Sequence, residues 1–222
     1  ADYRALKADG SYVWIRDVVH VIRSNNETEA LVGFMFDISE RKKNEDELIR
    51  LKQELEVYSY QDGLTEIANR RLYDIVLARE WENALDSQTP ISIIMTYIDF
   101  LKHCNDRYGH HVGDLARKQI AQLLKSQIRV GDLAARVGGE EFILILPSTH
   151  QEDAVEIAER IRLSIETTPI LYNDNQHISL TASCSVGSIV PKKSDTATHF
   201  IEMIDALLYR AKAQGRNRVL VL

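Results

Sequence analysis

At 222 residues the chain can hold one large domain, or one domain and a smaller piece. Its 45% hydrophobic and 27% charged residues are those of an ordinary soluble globular protein. A formal net charge of −6 gives no basic surface for wrapping nucleic acid, and apolar runs of strand length exclude a transmembrane helix from the sequence. Cys104 and Cys184 are the only cysteines and stand far apart, which fits a reducing, cytoplasmic compartment better than a disulfide framework. The chain begins at Ala1 without Met or signal peptide and in mid-pattern, so a longer parent protein is expected, including one anchored in a membrane elsewhere.

Residues 1–40 read as short strands: Tyr3 to Leu6, a turn at Ala8-Asp9-Gly10-Ser11, Tyr12 to Ile22, a polar loop at Ser24 to Glu29, then Ala30 to Phe36. Two hairpins with Asp-Gly and Asn-rich loops predict an antiparallel sheet. Forty residues do not easily bury a core of their own, so this sheet calls for a partner or further residues. Lys7-Ala8-Asp9-Gly10-Ser11-Tyr12-Val13-Trp14 and Gly33-Phe34-Met35-Phe36-Asp37-Ile38-Ser39-Glu40-Arg41 resemble the last three strands of a PAS sensor domain, the segment called PAC. The half of such a fold that usually lines the ligand pocket is absent from the sequence, so the stimulus is not legible.

Residues 41–60 are charged and lack Gly and Pro, which favours helix. Leu48, Leu51, Leu55 and Tyr58 follow the 3-4-3 spacing of a coiled-coil seam, although two heptads also suit a plain amphipathic helix. Between two domains, a parallel dimeric helix is the expectation, carrying sensor motion onward as a change of register or crossing.

Residues 61–222 alternate helix and strand patterns. Thr65 to Asp86 predicts a helix, Ile91 to Ile98 a buried strand, and Asp106 to Arg129 contains a further helix. Leu133 to Val137 and Phe142 to Leu146 are strand-like runs flanking Gly138-Gly139-Glu140-Glu141, which reads as a hairpin turn in which glycine supplies positive φ. Glu152 to Thr167 is helical, with Ala154, Ile157, Ala158, Ile161 and Ile165 on one face. His177 to Val190 is strand or hairpin material, Phe200 to Ala213 a helix stopped by Gly215, and Val219 to Leu222 a last strand. This mixed order predicts an α+β domain, helices packed on a largely antiparallel sheet.

The turn would hold Glu140 and Glu141 at the tip of a rigid sheet, a suitable place for Mg²⁺, which takes carboxylate oxygens and keeps phosphate oxygens as further ligands. A bare GGEE is equally an acidic solvated turn; the rest of the chain decides. Asp62-Gly63-Leu64-Thr65 with Asn69-Arg70-Arg71, Asn105-Asp106 with Gly109-His110 and Gly113-Asp114, Arg136 to Phe142, and Ala211-Lys212 with Gly215-Arg216-Asn217 together resemble the GGDEF domain of diguanylate cyclases across 61–222. That resemblance implies a polymerase-palm-like, ferredoxin-like fold and a reaction joining two GTP into cyclic di-GMP with release of pyrophosphate, with Mg²⁺ or Mn²⁺ as cofactor.

It also implies roles. Asn105 and Asp114 take the positions that read guanine, whose edge carries both donors and acceptors; taken alone, each is as readily a helix cap. Lys102, Lys212 and Arg216 match positions that hold the triphosphate, where a point charge and a fork-shaped donor are suited; alone, the last two are a solvated helix end. Glu140 matches the metal-binding carboxylate, Ile98 and Asp99 belong to the metal set, and Glu141 is the second acid, which helps activate the attacking 3′-hydroxyl. The first Asp of the family's Asp-x-Asp, a metal ligand, is here Tyr97, a poor Mg²⁺ ligand; at a strand spacing of two, Asp99 is expected on Tyr97's face.

Arg129-Val130-Gly131-Asp132 matches the RxxD motif through which many family members bind their own product and shut down, and Arg160 stands where a second arginine often completes that site. Two readings follow. One is a sensor-regulated homodimeric cyclase with product inhibition; the other is a degenerate module that binds GTP or cyclic di-GMP without turnover. The intact Glu140, Glu141, Asn105, Asp114 and Lys212 favour the first, and Tyr97 the second. A cyclase of different base choice is disfavoured by Asn105 and Asp114.

Overall fold

The computed structural model describes residues 1–24, 27–173 and 176–222, excepting the side chains at 24, 27 and 53–58. It divides into two compact units, Ala1–Ser59 and Tyr60–Leu222.

The first unit is a three-stranded antiparallel meander, β1 (Asp2–Leu6), β2 (Tyr12–Ser24) and β3 (Glu27–Asp37), in that spatial order. The first turn is closed by Asp9, whose carboxyl accepts from the backbone N–H and hydroxyl of Ser11 at 2.9 and 2.7 Å. Strands β2 and β3 run further into the polar loop than its Asn-rich composition predicts; Asn25 and Asn26 lie outside the described residues. Helix α1 (Ser39–Tyr60) starts at Ser39, whose N–H is taken by Asp37 Oδ1 at 2.9 Å and whose hydroxyl accepts from Trp14 N at 2.8 Å. Of the expected seam, Leu48 and Leu51 are solvent-exposed, and the side chains of Leu55 and Tyr58 lie outside the described residues.

The second unit comprises β4 (Ala68–Asn69), α2 (Arg70–Ser87), β5 (Ile91–Ile98), α3 (Leu101–Tyr108), α4 (His110–Ser126), β6 (Leu133–Arg136), β7 (Glu141–Pro147), α5 (Gln151–Thr167), β8 (Ile170–Asn173), β9 (Gln176–Ile178), β10 (Ala182–Ile189), α6 (Ala197–Ala213) and β11 (Val219–Val221). Six of the strands form one sheet in the order β11-β10-β5-β7-β6-β4. The inner pairs are antiparallel, while the outer pairs β11–β10 and β4–β6 are parallel. The α+β class expected from the sequence is therefore the observed one.

Both faces of this sheet are covered, which is why β5 and β7 read as continuous apolar runs rather than alternating ones. Ile91, Ile93 and Met95 join Ile143 and Ile145 in a core closed by Tyr73 and Trp81 of α2 and Phe200 and Ile204 of α6. Ile94 and Ile98 join Phe142, Leu144 and Leu146 in the opposite core, closed by α4 and α5 through Ala116, Ile120, Ala158 and Ile161. The period of two on a strand assigns these alternate residues to the two cores.

In this unit α6 starts at Ala197 rather than Phe200, and three larger differences from the sequence reading stand beside it. Helix α2 begins at Arg70, not Thr65, because Asn69 is its cap, accepting from Leu72 N at 3.1 Å, whereas Thr65 sits in a turn closed on Asp62. A separate helix, α3, precedes α4, and Gly109, at φ +87°, makes the break between them. The β8–β9 hairpin begins upstream of the predicted His177, on a segment with no turn dipeptide in the described residues.

Candidate nucleotide site at the hairpin tip

Strands β6 and β7 pair as the antiparallel hairpin expected, closed by Val137 N donating to Glu141 O at 3.0 Å. Its glycines do not have the conformation the sequence suggested, and a Cβ on Gly139 would meet nothing within 4 Å. Neither Gly138 nor Gly139 has a positive φ. Both instead offer carbonyls to arginines that brace the turn. Arg136 Nε donates to Gly138 O at 3.1 Å and its Nη2 to Gly139 O at 2.9 Å; Arg117 Nε reaches the same Gly139 O at 2.9 Å. Arg136 Nη1 also grips both carboxyl oxygens of Asp62, at 3.0 and 3.1 Å. Burial pulls the Asp62 carboxyl upward, but the hydrogen bonds from Thr65 and Arg136 outweigh it and hold it below the usual carboxylate range. Asp62 of the Asp-Gly-Leu-Thr motif thereby ties the start of the domain to the turn.

The two carboxylates differ. Glu141 is exposed and stands opposite Tyr97 in the β5–β7 register. Glu140 is half-buried, and its Oε1 accepts the Tyr97 hydroxyl. Burial first, then that hydrogen bond and the neighbouring Glu140 and Glu141 charges, push the Tyr97 phenol up to about 12, so it remains a neutral donor at physiological pH. The Lys212 ammonium lies 4.1 Å from the centre of the Tyr97 ring and the Arg216 guanidinium 4.5 Å from that of Phe100, both within cation–π range. A cavity of about 310 Å³ beside them is lined by Tyr97, Lys102, Asp106, Glu140 and Arg216, among others.

Asp99 is held by hydrogen bonds inside the protein. Strand β5 ends at Ile98, and Asp99, the next residue, is wholly buried. Its Oδ1 accepts from Ser183 Oγ at 2.7 Å, and its Oδ2 from Thr181 Oγ1 at 2.8 Å and Asn217 N at 3.1 Å. It holds the segment carrying Arg216 against β10, through Ser183, which stands opposite Tyr97 in the β5–β10 register. Ile98 is also buried, its N–H bonded to Glu140 O at 3.1 Å.

These placements bear on a metal. Among the described residues no three His, Cys, Asp or Glu side chains converge to hold an ion. Glu140 is already bonded to a phenol, Asp99 is locked into hydroxyls, and exposed Glu141 is the one acid left open, short of the oxygen-rich donor set Mg²⁺ takes. The residues present do not fit a resident divalent pair.

Asn105 on α3 and Asp114 on α4 lie on either side of the Gly109 break, and the Asn105 side chain packs against Gly113, the residue before Asp114. Asn105 Oδ1 is buried with no hydrogen-bond partner, and a Cβ on Gly113 would fall 1.8 Å from it, so only glycine fits before Asp114. The Asp114 carboxyl is paired with Arg117 Nη1. Sequence reasoning missed Arg117, which belongs to none of the quoted motifs; its spacing of three from Asp114 on a helix was the available signal.

The RxxD residues gather around a separate cavity of about 430 Å³, lined by Gln127, Arg129, Asp132, Thr149, Glu156 and Arg160 among others. Arg129 donates from its backbone N to Asp132 Oδ2 at 3.1 Å, from Nε to Asp132 Oδ1 at 3.3 Å, and from Nη2 to Pro147 O at 2.7 Å. Arg160 is fixed by Gln127, donating to its carbonyl at 2.8 Å.

Residues 59–218 match the family described as diguanylate cyclase, GGDEF domain. The chain belongs to this family. It is 42% identical over 134 residues to diguanylate cyclase A of Treponema denticola, covering 60% of this chain and 36% of that protein. It is 32% identical over 202 residues to diguanylate cyclase DosC of Escherichia coli K12, covering 89% and 43%. The chain thus spans less than half the length of these relatives. Among solved structures it resembles the coiled coil and GGDEF domain of DgcB from Caulobacter crescentus in complex with c-di-GMP, with TM-score 0.74, 28% identity and coverage of 82% of this chain and 97% of that one. Diguanylate cyclases of the family generally use divalent metal ions. No helix among the described residues is long and apolar enough to cross a membrane.

Proposed function

We propose that the chain is a diguanylate cyclase domain that condenses two GTP into cyclic di-GMP and pyrophosphate as a sensor-regulated homodimer, with turnover held low by Tyr97. The observation that carries this reading is the cavity beside Tyr97, where Lys102, Glu140 and Arg216 meet. With Lys212 above the Tyr97 ring, three cations stand ready for a triphosphate next to the hairpin acids. Asn105 and Asp114 read the guanine. Glu141, exposed at the hairpin tip, takes the proton of the attacking ribose 3′-hydroxyl. Mg²⁺ or Mn²⁺ enters as the counter-ion of the GTP substrate, and the protein's own work is positioning and charge.

Two nucleotides must meet head to tail, so each subunit supplies one. In this reading the 41–60 helix pairs the subunits in the cytoplasm, and residues 1–40, as the end of a PAS domain, pass the stimulus to it. Chromatographic detection of cyclic di-GMP after incubating the purified chain with GTP and Mg²⁺ tests the activity. The bond from Tyr97 to Glu140 favours a second reading, a module that binds GTP or cyclic di-GMP without turnover.

Replacing Asp114 by Ala should remove measurable GTP binding in calorimetry; retained affinity would sink its base-reading role. Arg129→Ala should weaken cyclic di-GMP binding at least tenfold, since it deletes a charge-assisted donor from the 430 Å³ cavity. Equal affinity in that variant would remove the inhibitory site formed with Asp132 and Arg160.

A further inference from the structure

We propose that Arg117 is a further base-reading residue, its guanidinium donating to guanine O6 while Asp114 accepts from N1–H and the 2-amino group. The inference rests on the nucleotide-binding reading above and deepens it.

Arg117 lies one turn after Asp114 on α4, and its Nη1 donates to Asp114 Oδ1. Its Nε is anchored at 2.9 Å on Gly139 O, in the turn that carries the two acids. The Arg117 side chain is only 13% exposed, whereas that of Asp114 is 45% exposed. An arginine held at two points loses little further freedom on binding a ligand. Among the described residues its Nη2 makes no hydrogen bond, so one donor of the fork is unspent. Beside the pair stands a second unmet group, the buried Asn105 Oδ1 against Gly113.

Donor and acceptor thus stand side by side, and guanine presents the complementary order. Its O6 accepts, and the adjacent N1–H and 2-amino group donate. Adenine reverses the pattern, setting its 6-amino donor against Arg117 and its N1 lone pair against Asp114. The pair would sort the two bases by repulsion as well as attraction. A salt bridge that merely ties α4 to the hairpin would carry no such preference, and this difference is measurable.

The experiment is calorimetric titration of the chain with GTP and with 6-thio-GTP, which puts sulfur at O6 and keeps N1–H and the 2-amino group. The wild-type chain should bind 6-thio-GTP roughly tenfold more weakly than GTP, the worth of one charge-assisted hydrogen bond. Arg117→Leu should lower GTP to the same level, so that the two ligands become equal. Equal affinities in the wild-type chain, a comparison needing no variant, would overturn the proposal. So would a correctly folded Arg117→Leu protein that keeps the full ratio. No GTP binding by the wild-type chain would instead overturn the nucleotide-binding reading, and this inference with it.

Discussion

Substituting Tyr97 by Asp should raise cyclic di-GMP formation by a factor on the order of 10²–10³, the usual worth of one preorganised charge in such a site. The wild-type side chain fails on two counts. It is neutral, with its phenol pushed up to about 12, and it donates its proton to Glu140, occupying the acid that would otherwise face the phosphates. Aspartate at 97 cannot donate in its ionised form, so Glu140 is released and a second carboxylate is added to the same edge of the cavity. Lys212, now stacked on the phenol, would gain a charged neighbour. The check is product per enzyme for both proteins across a Mg²⁺ series, beside their GTP affinities. Product from the variant alone would make the binding-module reading the leading one. Equal rates from both would show that residue 97 does not limit the chemistry, and the charge argument would fall.

The reason for such a consequence at one position is visible in how the sequence signals divide. Strand β5 was legible to the residue, because Ile91 to Ile98 is an apolar run between Pro90 and Asp99. The β6–β7 hairpin was legible from its glycines, even though positive φ was the wrong reason for them. Helix α3 was not. Its apolar face is only Leu101, Cys104 and Tyr108 over eight residues, and it starts from Phe100 in the left-handed region with no side-chain cap to announce it. The candidate site was legible where residues belong to a spaced motif, as with Asn105, Asp114, Lys212 and Arg216. It was illegible where function depends on who holds whom across the sheet. Arg117 bracing Gly139, and Ser183 meeting Asp99, join positions 22 and 84 residues apart.

Asp99 is the sharpest case, and its removal should be the most damaging to the fold of the second unit. Both of its carboxyl oxygens are used, by Ser183, Thr181 and the Asn217 N–H, and the Asp99 carboxyl itself is wholly buried. Asp99→Ala would leave those donors without an acceptor in the protein interior, at a cost of about 3–5 kcal/mol. For a unit of this size that lowers the melting temperature by roughly 10 °C. The damage should also reach the nucleotide, because Asn217 follows Arg216 directly and α6 carries Lys212 on its last turn. Loss of the anchor should free Lys212 and Arg216, the two cations proposed for the triphosphate, together. Asp99→Asn keeps the shape and one acceptor, and should fall between wild type and Ala in a thermal melt. The competing role, a metal ligand on Tyr97's side, predicts a different pattern: an unchanged melt with a selective loss of Mg²⁺-dependent GTP binding. A stable Asp99→Ala protein with that selective loss would return Asp99 to the metal set and remove it as the anchor of the end of α6.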